Sequence, residues 1–222
     1  MCSSDLLAIA QGVLGEYKLA KNNYTLAIKS CPEWDRKCQA KYRKCLGSLC
    51  NTQGDLANAE KYCTESLQIR RDSGGTEREI AESLHAVGNV FANQGKIKEA
   101  LEMYYQSFKM KLDINDKRGM AESMHALAYY IAKLNCVESV LALYKKALKL
   151  NEEANDILGR ASNLNQMARI HAKNNETEKA KELSKESFNL SKSVGDIRGI
   201  VESRKTEAFI NSREKDFDEA MK

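Results

Sequence analysis

One stretch of this chain is written twice and begun a third time, and it constrains the fold more than any other feature. Ala81-Glu-Ser-Leu-His-Ala-Val-Gly88 returns forty residues later as Ala121-Glu-Ser-Met-His-Ala-Leu-Ala128, and again as Ala161-Ser-Asn-Leu-Asn-Gln-Met-Ala168. The spacer recurs at the same interval, as Asp116-Lys-Arg-Gly119, Asp156-Ile-Leu-Gly159 and Asp196-Ile-Arg-Gly199. A period of about forty with helical patterning inside it is the signature of a helical solenoid, in which each unit packs only on its neighbours. The expected class is therefore all-α.

Extending the register in both directions gives six units, approximately 1–39, 40–80, 81–120, 121–160, 161–200 and an incomplete 201–222. The turn inside each unit is marked by Gly15, Gly54, Gly95, Asn135, Asn175 and Lys215, at intervals of 39, 41, 40, 40 and 40. Gly and Asn tolerate the left-handed backbone that ends one helix and admits the next; Lys215 is the outlier. Small residues recur on the first helix of each unit at Ala8, Gly47, Gly88, Ala128, Ala168 and Ala208. On the second they recur at Ala20, Ala59, Ala100, Val140, Ala180 and Ala220, and again at Ala27, Ser66, Ser107, Ala147 and Ser187. Helices approach closely only where such side chains meet, so Gly88 is expected to face Ala100. Large apolar residues flank these positions at helical spacing, among them Leu46, Val87, Leu127 and Met167.

This pattern resembles the tetratricopeptide repeat. The first unit carries Leu7, Ala8, Gly15, Ala20, Tyr24, Ala27 and Pro32 in the family's positions. Later units keep the small and apolar positions, lose the closing Pro and carry the longer Asp-x-x-Gly linker. In that they look like the forty-residue class found in LGN/Pins adaptors and, with longer units, in kinesin light chains and bacterial Rap regulators. The resemblance implies a right-handed superhelical α-solenoid whose first helices line an inner groove. Departures gather toward the end, where Arg204 and Glu207 stand at positions that are apolar in other units.

Composition narrows the function classes. The 222 residues are 30% charged with a net charge of only +4, and basic and acidic residues are interspersed. Bulk attraction to nucleic acid or membrane is not indicated. No run is long enough to span a bilayer, and Met1-Cys-Ser-Ser-Asp5 lacks a basic n-region, so the chain reads as soluble and cytoplasmic. The seven cysteines include no Cys-x-x-Cys pair, and no His lies among Cys31, Cys38, Cys45, Cys50 and Cys63 in the first third; they are expected as buried, reduced thiols that pack as small apolar groups. No phosphate-binding loop, dinucleotide fingerprint or His-Glu-x-x-His occurs. His85, His125 and His171 fall one per unit, and stacked helices would hold His85 and His125 about 10 Å apart, too far to share a metal. The expectation is a non-enzyme with no cofactor and no metal site.

The resemblance also implies where a ligand would sit. Carrying the family's contact positions onto this chain selects Lys41 and Lys44 in the second unit and His85 and Asn89 in the third. It selects His125 and Tyr129 in the fourth, Asn165, Arg169 and Lys173 in the fifth, and Lys205 in the sixth. Amide side chains can hold a peptide backbone, whereas Arg and Lys favour carboxylates or phosphates. The residues argue against the clamp used by chaperone-binding members in this register, because Ser48 and Ala86 replace its amides and Glu122 and Ala126 its final cations.

These residues point to a scaffold or adaptor that binds an extended, acidic protein or peptide segment. The alternative is a regulatory arm of a larger multidomain protein. Single-stranded nucleic acid is disfavoured because the inner face lacks repeated stacking residues. The sixth unit stops before its second helix is complete, so that end is expected to belong to a longer array or to self-associate with another copy.

Overall fold

The computed structural model describes residues 16–132 and 137–220, and every regular element among them is an α-helix. The chain divides into two compact units, Met1–Ile114 and Asn115–Lys222. The first contains α1 (Tyr17–Ser30), α2 (Arg36–Thr52), α3 (Leu56–Asp72), α4 (Glu77–Asn93) and α5 (Ile97–Asp113). The second contains α6 (Lys117–Ala132), α7 (Val137–Glu153), α8 (Ile157–Lys173), α9 (Thr177–Ser193) and α10 (Ile197–Ala220). Within each unit every helix packs on the next, and α2 also touches α4, as α6 touches α8 and α8 touches α10. This is the helical-repeat solenoid class expected from the periodicity.

Local chemistry sets the helix ends. Asp35 and Asp55 cap α2 and α3 by accepting from the amides of Cys38 and Asn58, and Thr76 with Glu79 forms a reciprocal capping box on α4. The recurring Asp-x-x-Gly is the same device. The carboxylates of Asp116 and Asp156 each accept from the amide of the glycine three residues on, at 3.1 Å. A Cβ on Gly159 would lie 2.7 Å from its own capping carboxylate and 2.6 Å from Asn151 Nδ2, so that position has no room for a side chain.

The turns follow the markers only in part. Gly54, Gly95 and Asn175 have positive φ as expected, but so do Gly74, Asn115, Asn155 and Gly195 in the linkers between pairs. Gly15 and Asn135 lie outside the described residues. The turn expected at Lys215 is absent: α10 runs unbroken from Ile197 to Ala220. Lys215 is neither Gly nor Asn, so nothing local favours leaving the helix there. Ala208, expected at a helix crossing, is exposed. Ile210 is 1% exposed and belongs to a core cluster with Ala172 and Ala180, so this end of the array is covered there. The polar departures have a structural account, since Arg204 pairs with Glu207 at 2.7 Å and its guanidinium lies 4.3 Å from the centre of the Phe188 ring.

The small positions work as read, with one change of partner. Ala59, Ala100, Ala128, Val140, Ala168 and Ala180 are fully buried. The closest atoms a side chain at Gly88 would meet belong to the Tyr104 ring, at 2.8 and 2.9 Å, rather than to Ala100 one turn earlier. At Gly47 the obstacle is Cys63 Sγ, at 2.5 Å. Serines at the crossings also bond across them: Ser66, Ser107 and Ser187 donate to the carbonyls of Ala40, Ala81 and Ala161 at 2.7–2.8 Å.

The cysteine expectation needs a correction. Cys31 and Cys38 form a disulfide, their Cα atoms 6.1 Å apart, because the short loop after α1 brings them side by side at the start of α2. Cys50 and Cys63 are buried free thiols as expected, and burial pushes the Cys63 thiol up to about 12. Cys45 is half-buried and not disulfide-bonded; Cys2 and Cys136 lie outside the described residues.

Replacing Gly88 by Leu drives a side chain into Tyr104, and overpacking of this kind costs about 1–3 kcal/mol. Thermal denaturation followed by circular dichroism should show a clear fall in Tm for Gly88→Leu and a small one for the exposed control Ala208→Leu.

Candidate functional site

In the first unit the face presented by α2 and α4 is largely bonded to itself. Lys44 meets Glu82 at 2.6 Å, joining α2 to α4. A second link runs from the Asn93 amide to Asn51 Oδ1 at 3.0 Å. Lys41 is half-buried with its ammonium 5.2 Å from the centre of the Tyr42 ring. His85 packs on Tyr104 with ring centres 5.1 Å apart, and the same tyrosine donates its hydroxyl to Asn89 Oδ1 at 2.7 Å. Four predicted groove residues are therefore held by internal contacts.

The second unit repeats the His–Tyr arrangement and then departs from it. His125 Nδ1 is 2.6 Å from Asn163 Oδ1 on α8, and its ring stands edge-on to Tyr144 at 5.4 Å. Burial pushes the imidazole below its ordinary value, against the opposing effect of the Asn163 bond. Burial also raises the Tyr144 phenol; Tyr129 raises it further, whereas Arg169 opposes the shift, so both side chains act on that phenol electrostatically. Tyr129 is 37% exposed and packs edge-on against Tyr130.

Along α8, Asn165, Arg169 and Lys173 follow one another at intervals of four, so they share a helix face. Asn165 is 5% exposed, and its Oδ1 accepts no hydrogen bond. Arg169 is half-buried and Lys173 exposed, and neither has an ion-pair partner among the described residues. The Lys173 carbonyl accepts from Arg213 at 3.3 Å. Lys205 is exposed and paired with Glu202, three residues earlier on the same helix, at 2.8 Å.

Of the ten residues selected from sequence, Arg169 and Lys173 are without an ion-pair partner among the described residues, and Asn165 Oδ1 accepts no hydrogen bond; all three lie on α8 in the second unit. Sequence reasoning missed Tyr104 and Tyr144, which reach this face from the second helix of each pair. Their forty-residue spacing was visible, but the position reads as core because Cys63 occupies it in the preceding pair. Among the described residues no group of three or more His, Cys, Asp or Glu side chains is placed to hold a metal ion. None of the described helices is long and apolar enough to cross a membrane.

Residues 38–113 match the tetratricopeptide repeat family. No curated protein sequence matches the chain. Among solved structures, aspartyl phosphate phosphatase F from Bacillus subtilis is similar with a TM-score of 0.78 at 14% identity, covering 96% of this chain and 58% of that one. A Rap protein complexed with competence and sporulation factor has a TM-score of 0.78 at 13% identity, covering 89% and 55%. A putative kinesin light chain from Podosopora anserina has a TM-score of 0.65 at 15% identity, covering 87% and 95%. At these identities the likeness establishes the fold alone. The chain spans little more than half the length of the first two proteins.

The depressed His125 couples folding to pH. The folded protein binds this proton less readily than the unfolded chain, so the stability linked to it is present above the unfolded value of about 6.5. It is lost as pH falls from there through the folded value. Melting curves from pH 7.5 to 5 should show a steeper loss of Tm for the native protein than for His125→Gln, which keeps a polar group toward Asn163 but cannot take up the proton.

Proposed function

Starting from a chain whose residues 38–113 match the tetratricopeptide repeat family, we propose that it is a non-enzymatic protein-interaction module. Its second unit holds an extended, acidic peptide segment along α8. The observation that carries this reading is the contrast between α8 and the other first helices. Lys44, Asn89 and His125 are committed to internal hydrogen bonds. Arg169 and Lys173 keep their charge without an ion-pair partner, beside a buried amide oxygen on Asn165 that has no internal bond.

Each of these groups has a physical role in such a complex. The guanidinium of Arg169 offers paired donors in a plane, which suits a carboxylate or phosphate. Lys173, one turn further on, adds a second cation at the exposed edge. Asn165 can accept from a peptide N–H at small desolvation cost, because it is already removed from water and unbonded. Tyr129 supplies an amphipathic surface beside them at little conformational cost. The Rap structure with its bound factor supports the reading to the extent that a similar fold is known to hold a ligand.

Replacing both Arg169 and Lys173 by Glu should reverse the charge of this face while leaving helicity intact. A hydrogen bond to a charged group contributes about 1.5–3 kcal/mol, so an acidic peptide selected on the native protein should bind the variant at least tenfold more weakly by calorimetric titration at fixed salt. Unchanged affinity would remove α8 as the binding face.

A further inference from the structure

The junction of α2, α3 and α4 in the first unit and that of α8, α9 and α10 in the second are built alike. Ser66 donates to the Ala40 carbonyl and lies 3.5 Å from Ser83 Oγ. Ser187 donates to the Ala161 carbonyl and lies 3.1 Å from Ser203 Oγ. The shared pattern fixes which residues correspond, and the correspondence exposes a loss of cations. Arg70, buried in the first unit and donating to Ser83 Oγ and the Glu79 carbonyl, becomes Ser191. Lys44, paired with Glu82 at 2.6 Å, becomes Asn165, while the acid is retained as Glu202. Arg78 persists as Arg198, Glu79 becomes Gly199, and the capping Thr76 becomes Asp196. The first junction therefore holds Lys44, Arg70 and Arg78 against Glu79 and Glu82, whereas the second holds Arg198 against Asp196 and Glu202.

The smaller side chains leave space. A recess of about 140 Å³ is lined by Asn165, Ser187, Ser191, Asp196, Gly199 and Glu202, with Arg198 also on its wall. Two buried oxygens bordering it have no hydrogen-bond partner, Asn165 Oδ1 and Ser191 Oγ, on residues 5% and 0% exposed. A Cβ on Gly199 would lie 2.3 Å from Asp196 Oδ2 and 2.4 Å from Ser191 Oγ, so a carboxylate oxygen and one of the unbonded oxygens converge there. Native structures rarely leave such atoms without a partner. Arg198 is not a substitute for the missing group, because its counterpart Arg78 coexists with Lys44 and Arg70 in the first unit.

We propose that this recess is a guanidinium site, in which an arginine of the bound peptide takes the place that Arg70 occupies from within the first unit. A guanidinium carries five donors in a planar fork and no acceptor, which matches an acceptor-rich recess that keeps one of three cations, Arg198, beside Asp196 and Glu202. The peptide source rests on the function proposed above. Arg169 and Lys173 lie about 6 and 12 Å along α8 from Asn165 at 1.5 Å per residue. An extended peptide advances about 3.3 Å per residue, so its acidic group falls roughly two to four residues from its arginine.

Amide NMR titration with N-acetyl-L-arginine methylamide, against its citrulline counterpart at matched ionic strength, tests the site. The arginine probe should give saturable shifts at Asn165, Ser191 and Gly199 at least tenfold more readily than the neutral citrulline probe. Ser191→Arg, which restores the residue of the first unit, should abolish the response and raise Tm. Should that variant fail to fold, Asn165→Lys rebuilds the Lys44–Glu82 pairing and should also abolish it. No saturable shift, an equal response to citrulline as from a merely water-filled recess, or a response surviving both substitutions overturns the proposal. A peptide pairing arginine with a carboxylate three residues away should bind at least tenfold more tightly than the capped amino acid, and Arg169→Glu should remove only that gain. A capped-arginine response without any gain from the peptide supports the guanidinium site and sinks the peptide reading.

Discussion

The structure depends on how closely two helices can approach at their crossing points. A Cβ added at Gly47 or Gly88 would lie 2.5 Å from Cys63 or 2.8 Å from Tyr104, and Ala59, Ala100 and Ala180 at the crossings are fully buried. Once the helices are that close, a serine hydroxyl on the second reaches a carbonyl on the first, as Ser66, Ser107 and Ser187 do. Ala147, at the corresponding place, is equally buried without a hydroxyl, so small size is the requirement and the hydrogen bond a refinement. A net contribution of about 0.5–1.5 kcal/mol per bond is consistent with its being dispensable at Ala147.

That close approach also decides what the functional face can offer. Neighbouring first helices are near enough for side chains about forty residues apart to bond to one another, and where they do, their capacity for a ligand falls. Lys44 with Glu82, Asn51 with Asn93 and His125 with Asn163 are all exchanges of this kind. Elsewhere the exchange is missing: Asn165 stands where Lys44 would be, and Arg169 and Lys173 have no ion-pair partner among the described residues. The second unit is thus the better candidate not for having more polar groups but for having fewer that satisfy each other.

The Asp-x-x-Gly linker shows the same economy in a local setting. One aspartate caps a helix, and the glycine three residues later keeps the space that the carboxylate and the preceding helix occupy. Where Ser191 replaces a longer side chain beside that glycine, the linker opens into a recess instead of closing over a buried cation. Changes at a few repeat positions, from Lys44 to Asn165 and from Arg70 to Ser191, therefore replace cations by smaller side chains without altering the helical pattern.

The helical class, the forty-residue period, the left-handed turns at Gly54, Gly95 and Asn175 and the small positions at the crossings were legible in the sequence. They rest on interactions within one helix or one turn, whose spacing the chain itself displays. The continuous α10 across Lys215, the Cys31–Cys38 pairing and the contacts of Tyr104 with His85 and Asn89 and of Tyr144 with His125 were decided by tertiary structure. So was the division of the ten candidate residues into those spent on neighbours and those left available. Each of these depends on which side chains meet across thirty to forty residues, or on how a loop folds back, and periodicity cannot distinguish a residue that faces a partner from one that faces a ligand. Sequence alone therefore determined the scaffold, and the stacking of its helices decided where on it chemistry remains to be done.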